Sequence, residues 1–146
     1  MIMTTETLNP ATSQRTHQAI NPWTWQDQLG YSQAVLVNQP KQMLYVAGQC
    51  AIDANGAPVS PGDLVGQVAQ VADNIETVLA AAGMTFGDVV RYDVYTTDLN
   101  AYFGAAGILV GRFAAAGNIP AGGICTQVQS LAMPDLMVEV TVTAAR

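Results

Sequence analysis

Charge is what this sequence has least of. Only 11% of its 146 residues are Asp, Glu, Lys or Arg, against roughly 25% in an average soluble chain. Cations are scarcest: Lys41, Arg15, Arg91, Arg112 and Arg146 stand against 11 acidic residues, for a formal net charge of -6. Nucleic-acid binding needs clustered cations to neutralise phosphates, so no nucleic-acid partner is expected. The single histidine, His17, and the two cysteines, Cys50 and Cys125, form no CxxC or HExxH spacing, and no metal site is expected. There is no run of about 18 apolar residues, so no membrane span is expected either. The first residues, MIMTTETLNPATSQRTHQ, lack the basic-then-apolar order of a signal peptide. Together with two distant cysteines in apolar company, this predicts reduced thiols in a cytoplasmic protein.

Apolar residues are plentiful, at 50% of the chain. A surface so poor in charge predicts that part of it is covered by other subunits, because large bare apolar patches are rare on monomers. The length fits one domain with its own core. Residues 1–22 are rich in Thr, Gln, Asn and Pro without apolar period and read as an arm or tail, leaving 23–146 as a single domain.

Within the domain, 31–38 and 43–53 are β-rich runs joined by QPKQ, a hairpin-length connection. Leu64, Val68, Val71, Ile75, Val78 and Leu79 recur at helical spacing, with Gln67, Gln70, Asp73, Asn74 and Thr77 between them. They predict an amphipathic helix over 63–82, stopped by Gly83. Residues 88–98 have the Val and Tyr content of a strand. A second helix is expected over 100–116, ending at Gly117. Its Gly104, Gly107 and Gly111 share one side, which predicts close packing of that side against a sheet. Strands at 123–131 and 136–144, joined by the turn AMPD, complete a β-β-α-β-α-β-β order, an α+β mixed sheet with two helices on one face.

Gly122 and Gly123 open the strand that carries Cys125. Glycine weakens a strand, so a pair of them marks a bulge, a tight bend or another group lying close to the backbone. Arg91 and Asp93, two apart on one strand, read as a solvated charge pair. Arg112 reads as exposed, and Cys50 and Cys125 as small buried side chains. Trp23 and Trp25 are expected to pack over the domain or to rim a cleft.

GYSQAVLV, LYVAGQCAID, NIETVLAAAGMTFGDVVRYDVYTTDLNAY and a PA followed by LAMPDLMVEV resemble the RidA (YjgF) family in order and spacing, over roughly residues 28–144. The resemblance implies a chorismate-mutase-like fold assembled as a homotrimer, with clefts between neighbouring subunits. It also implies cofactor-free hydrolysis of reactive enamines and imines to 2-oxo acids and ammonia. Carried over position by position, the resemblance makes Tyr31 a cleft-lining tyrosine. Gly48, Gln49 and Cys125 fall where the backbone holds substrate, Asn100 lies near the cleft, and Glu139 matches the glutamate that orients the attacking water. An arginine that grips the substrate carboxylate should follow PA. Its position falls on Gly123 when Leu131 anchors the alignment and on Gly122 when counted from Pro120, because one extra residue lies between.

Loss of that bidentate guanidinium costs an anionic substrate on the order of 2 kcal/mol. The two glycines leave either a nest of backbone amides or room for a bulkier, less anionic guest. The resulting expectation is a hydrolase of the enamine/imine deaminase type, weak or inactive on 2-aminoacrylate-type imines. The alternative is a non-catalytic small-molecule-binding protein of the same fold. Ribonuclease activity, reported for some relatives of this fold, conflicts with the acidic, lysine-poor composition.

Overall fold

The computed structural model describes residues 16–146; the first 15 residues of the expected arm lie outside them. Both expected helices form, and each begins on a capping aspartate. Asp63 accepts the Gly66 amide at 3.0 Å ahead of α1 (Leu64–Ala81), and Asp98 accepts the Ala101 amide at 3.0 Å ahead of α2 (Leu99–Ala115). Just past their ends Gly83 and Gly117 take left-handed φ values of 70° and 69°, a conformation glycine adopts without steric cost.

The strands are β1 (His17–Ile20), β2 (Ala34–Val37), β3 (Met43–Tyr45), β4 (Gln49–Cys50), β5 (Val89–Thr96), β6 (Ala121–Gln127) and β7 (Val138–Ala145). β7 is central, with β3 and β4 along one side, β5 on the other, and β6 outermost beyond β5. β5 and β6 are parallel, as the α2 crossover between them requires, and all pairings of β7 are antiparallel.

Three expectations are corrected. β2 does not pair with β3 across QPKQ; it pairs with β1, so His17 belongs to a strand. The run 43–53 divides into β3 and β4, both on β7. AMPD does not make a hairpin of β6 and β7, because β5 lies between them.

The helices cover one face of the sheet. Ile75, Leu79, Leu109 and Phe113 of the helices are fully buried against Val94, Val138 and Val140, and the Tyr92 and Phe113 rings meet at 4.9 Å. The buried α1 stripe is the predicted one, with Val78 only partly buried and with Ala72 and Gln67 added. Gln67 has no exposed surface; it donates to the Asp135 carbonyl at 2.7 Å and accepts the Met137 amide at 2.8 Å. Arg112 is not a free surface cation, since it joins α2 to Asp73 and Glu76 of α1 at 2.6 and 3.0 Å. No helix among the described residues is long and apolar enough to cross a membrane.

The glycine side of α2 also departs from expectation. Gly104, Gly107 and Gly111 are exposed, and a β-carbon added at any of them meets nothing within 4 Å. They therefore do not serve close packing against the sheet. Gly104→Ala is expected to stabilise the chain by about 0.5–1 kcal/mol, through helix propensity and a less flexible unfolded state. Thermal denaturation checks this; a lower midpoint would mean that the glycine side is covered by something else.

Candidate functional site

The buried Ser32 determines where Tyr31 lies. Its hydroxyl donates to the Ile119 carbonyl at 2.7 Å, its amide donates to the Pro120 carbonyl at 2.9 Å, and its own carbonyl accepts the Gly122 amide at 3.2 Å. Upstream, the fully buried Gln26 amide donates to Asn21, to the Trp23 carbonyl and to Asp27, pinning the loop that leads in. Tyr31 is thereby laid over the start of β6. A β-carbon on Gly122 would stand 2.7 Å from the Tyr31 ring. Trp25, largely exposed, meets the same ring edge-on at 6.3 Å.

Of the three readings of the glycine pair, the structure supports two. β6 is bulged: Tyr92 pairs with Gly122 and Val94 with Cys125, so β6 spends one more residue than β5 between these pairs. Close approach also applies at both glycines. Above Gly123, the place of a β-carbon is taken by the Asp93 carboxylate, and the Arg91 Nε lies 2.8 Å from it. The space is thus filled by the protein's own groups. Asp93 accepts the Ile124 amide at 2.6 Å and pairs with Arg91 at 3.1 Å. Burial alone would raise the Asp93 carboxyl; the Arg91 guanidinium and the Ile124 amide outweigh it and hold the carboxyl below its ordinary range. A cation therefore does stand over Gly123, supplied by β5, but its charge is met by Asp93.

Register places the remaining positions on two faces. Cys125 and Val140 both pair with Val94 and lie on the helix-covered side. Thr126, Tyr95, Glu139 and Cys50 pair in succession across β6, β5, β7 and β4, forming a row on the opposite, helix-free face. The Glu139 carboxylate reaches over Gly48 and occupies the place of a β-carbon there. Beside it, the Cys50 thiol donates to the carboxylate, and burial followed by the Glu139 charge pushes that thiol up to about 11.

The structure therefore brings Tyr31, Gly122 and Cys125 together on one side, and Gly48 and Glu139 on the other. Gln49 is turned away from Glu139, donating to the Ala47 carbonyl at 3.1 Å. Asn100 is exposed in the first turn of α2 and does not line the cavity beside Tyr31. Cys125 is exposed rather than buried, and desolvation raises its thiol pKa, so it is a poor nucleophile at neutral pH. Among the described residues no three His, Cys, Asp or Glu side chains gather as a metal site.

Beside Tyr31 and Cys125 a cavity of about 450 Å³ opens between β5, β6 and α2, walled also by Tyr92, Val94, Tyr102 and Phe103. Sequence reasoning missed Tyr92, Tyr102 and Cys50 as neighbours of the site. Alternation along β5 was the available signal for Tyr92, whereas the Cys50–Glu139 pairing depends on the β4 register and has no local signature.

Residues 25–146 match the family profile described as Endoribonuclease L-PSP. Among solved structures, the Rid-family protein YyfB of Yersinia pestis is 34% identical with a TM-score of 0.78, over 90% of this chain and 99% of that one. TdcF of E. coli, solved with bound serine, is 26% identical with a TM-score of 0.64, over 80% of this chain and 87% of that one. Among curated proteins, the 2-iminobutanoate/2-iminopropanoate deaminase of Capra hircus is 39% identical over 70 residues, 48% of this chain and 49% of that one. DfrA of Myxococcus xanthus is 42% identical over 69 residues, 47% of this chain and 52% of that one. The chain spans about half the length of the curated relatives it matches. A mixed sheet under two helices, matched nearly end to end by a Rid-family structure and by the family profile, places this chain in the RidA/YjgF family.

Proposed function

We propose that this chain is a cofactor-free hydrolase of reactive imines and enamines, acting in the cytoplasm as a homotrimer. The observation that carries the reading is the Glu139 carboxylate, held over Gly48 beside the Cys50 thiol on the helix-free face. Glu139 takes a proton from water as its oxygen adds to the imine carbon. The proton passes to nitrogen to give the carbinolamine; its hydroxyl proton is then moved to the same nitrogen as the carbon–nitrogen bond breaks, and ammonia leaves with a carbonyl product. A carboxylate positioned against water performs both transfers. The deaminase names borne by relatives support the reaction class.

Glu139 and the Tyr31 cavity lie on opposite faces of one chain's sheet, so the catalytic cleft joins the Glu139 face of one subunit to the Tyr31 side of the next. The same separation supports a second reading, a binding module that uses the Tyr31 cavity alone.

With Arg91 paired to Asp93, the expected result is ammonia release from an uncharged imine and weak or no release from a 2-aminoacrylate-type imine. Ammonia assays on both substrates, run beside an arginine-bearing relative, test this. Equal rates with that relative on the 2-aminoacrylate-type imine would refute the account of the glycine pair.

A further inference from the structure

We propose that the cavity beside Tyr31 and Cys125 takes an uncharged aromatic ring and rejects carboxylates. The claim that this ring is part of the substrate rests on the hydrolase reading; the binding itself does not.

Size comes first. About 450 Å³ lies within the range of small-molecule sites and exceeds what a two- or three-carbon imino acid fills. The chemistry of the wall comes next. Leu29, Val94, Phe103, Ala106 and Val110 supply apolar surface, and no lining residue carries a charge. The polar groups that remain are neutral ones. Burial pushes the Tyr92 phenol up to about 12, with Cys125 and Tyr31 close enough to add to the shift. Burial likewise raises Tyr102, with Tyr92 and Cys125 adding to it. Phenols and a protonated thiol can each share a hydrogen bond with a guest, but they supply no positive charge. A carboxylate entering this wall loses its hydration and gains no counter-ion, which is costly.

The nearest cation offers no remedy. Arg91 stands on the helix-free face and is engaged by Asp93 at 3.1 Å. An aromatic ring, by contrast, meets ring edges and faces that favour offset or perpendicular stacking. Tyr31 is set edge-on to Trp25 and Tyr102 is tilted against Phe103, each pair at 6.3 Å. Gly107 lines the cavity with no side chain, and a β-carbon there meets nothing within 4 Å. The absence of that side chain keeps the space between α2 and Leu29 open.

The test is calorimetric titration of the full chain with indole and with indole-3-carboxylate, which share a ring and differ in a carboxylate. Indole should bind at least about tenfold more tightly, the ratio that a difference of about 1.4 kcal/mol produces. Gly107→Leu, which extends into open space from a helix, should abolish indole binding while leaving the melting temperature equal or higher. Phe103→Ala, at a position 62% exposed, should weaken binding several-fold without affecting folding. Equal affinity for the two probes, or unchanged indole binding in Gly107→Leu, overturns the proposal. Glu139→Gln should bind indole like the parent chain. Indole binding with no imine hydrolysis would refute the hydrolase reading and leave the cavity assignment standing; hydrolysis without indole binding would do the reverse.

Discussion

Glu139→Gln should lower turnover of an uncharged imine by about 10²–10⁴-fold, the usual worth of a positioned general base, and leave ligand affinity unchanged. The substitution keeps the shape and hydrogen-bonding span of the side chain. Glu139 is half-buried on the helix-free face, between the buried Val138 and Val140, so the sheet beneath it is undisturbed. What is lost is the capacity to take a proton from water. Turnover and binding, measured separately, give a fall in kcat at constant Kd if Glu139 acts on the reacting atoms. Unchanged kcat would remove Glu139 from the mechanism. A rise in Kd alone would make it a binding group. Gly48 supplies a control by geometry, because a β-carbon added there coincides with the Glu139 carboxylate and must displace it.

Gln67→Leu should destabilise the chain by about 3 kcal/mol, since it orphans the Asp135 carbonyl and the Met137 amide in a part-buried setting. For a chain of this length that lowers the melting temperature by about 10 °C. Leucine fits the apolar surroundings of α1, so the loss is one of hydrogen bonding and not of volume. The two backbone groups belong to the segment that leads into β7, and Met137 lies two residues before Glu139. Turnover should therefore fall at temperatures where the variant is still folded. Calorimetric melting with parallel kinetics checks both effects. A melting temperature within about 2 °C of the parent would mean that β7 is held by its strand partners alone.

Gln67 also shows what was legible in the sequence and what was not. Its neighbours Leu64, Val68, Val71, Ile75 and Leu79 could be read as a buried stripe because burial follows helical period. Gln67 lies beside that stripe and by residue type belongs with the polar side. Its partners are backbone groups 68 and 70 residues away, and no local pattern reports them. Strand identity was legible for β5, β6 and β7, where Val and Tyr alternate or turn residues flank the run. Strand pairing was not. QPKQ resembles a hairpin link, yet β2 turns to β1 and β3 to β7, because partner choice depends on which apolar faces meet in three dimensions.

The family resemblance pointed to Tyr31, Gly48, Cys125 and Glu139 as candidate site residues, and residue counting pointed to one extra residue in the glycine segment. It did not show how that residue is accommodated. The bulge needs an acceptor for the Ile124 amide, and Asp93 on the neighbouring strand provides it. Asp93 and Arg91 were readable as a pair from strand alternation, but their position over Gly123 follows from the β5–β6 register. The glycine side of α2 departs from expectation for a related reason. Spacing gives a shared face but does not say whether that face is inside or outside.

The bulge has a consequence for the free chain. β6 is an outer strand, and an outer strand with a long straight run of unpaired amides and carbonyls invites open-ended ladder growth between copies. Here Ser32 bridges Ala121 at the start of the strand, and the extra residue kinks it before Cys125. The straight stretch that remains runs only from Cys125 to Gln127, and the Gln127 side chain folds back to accept the Leu99 amide. A newly made chain thus carries a strand border too short and too bent to template a fibre, and the residue that bends it lies where Asp93 meets the glycine pair.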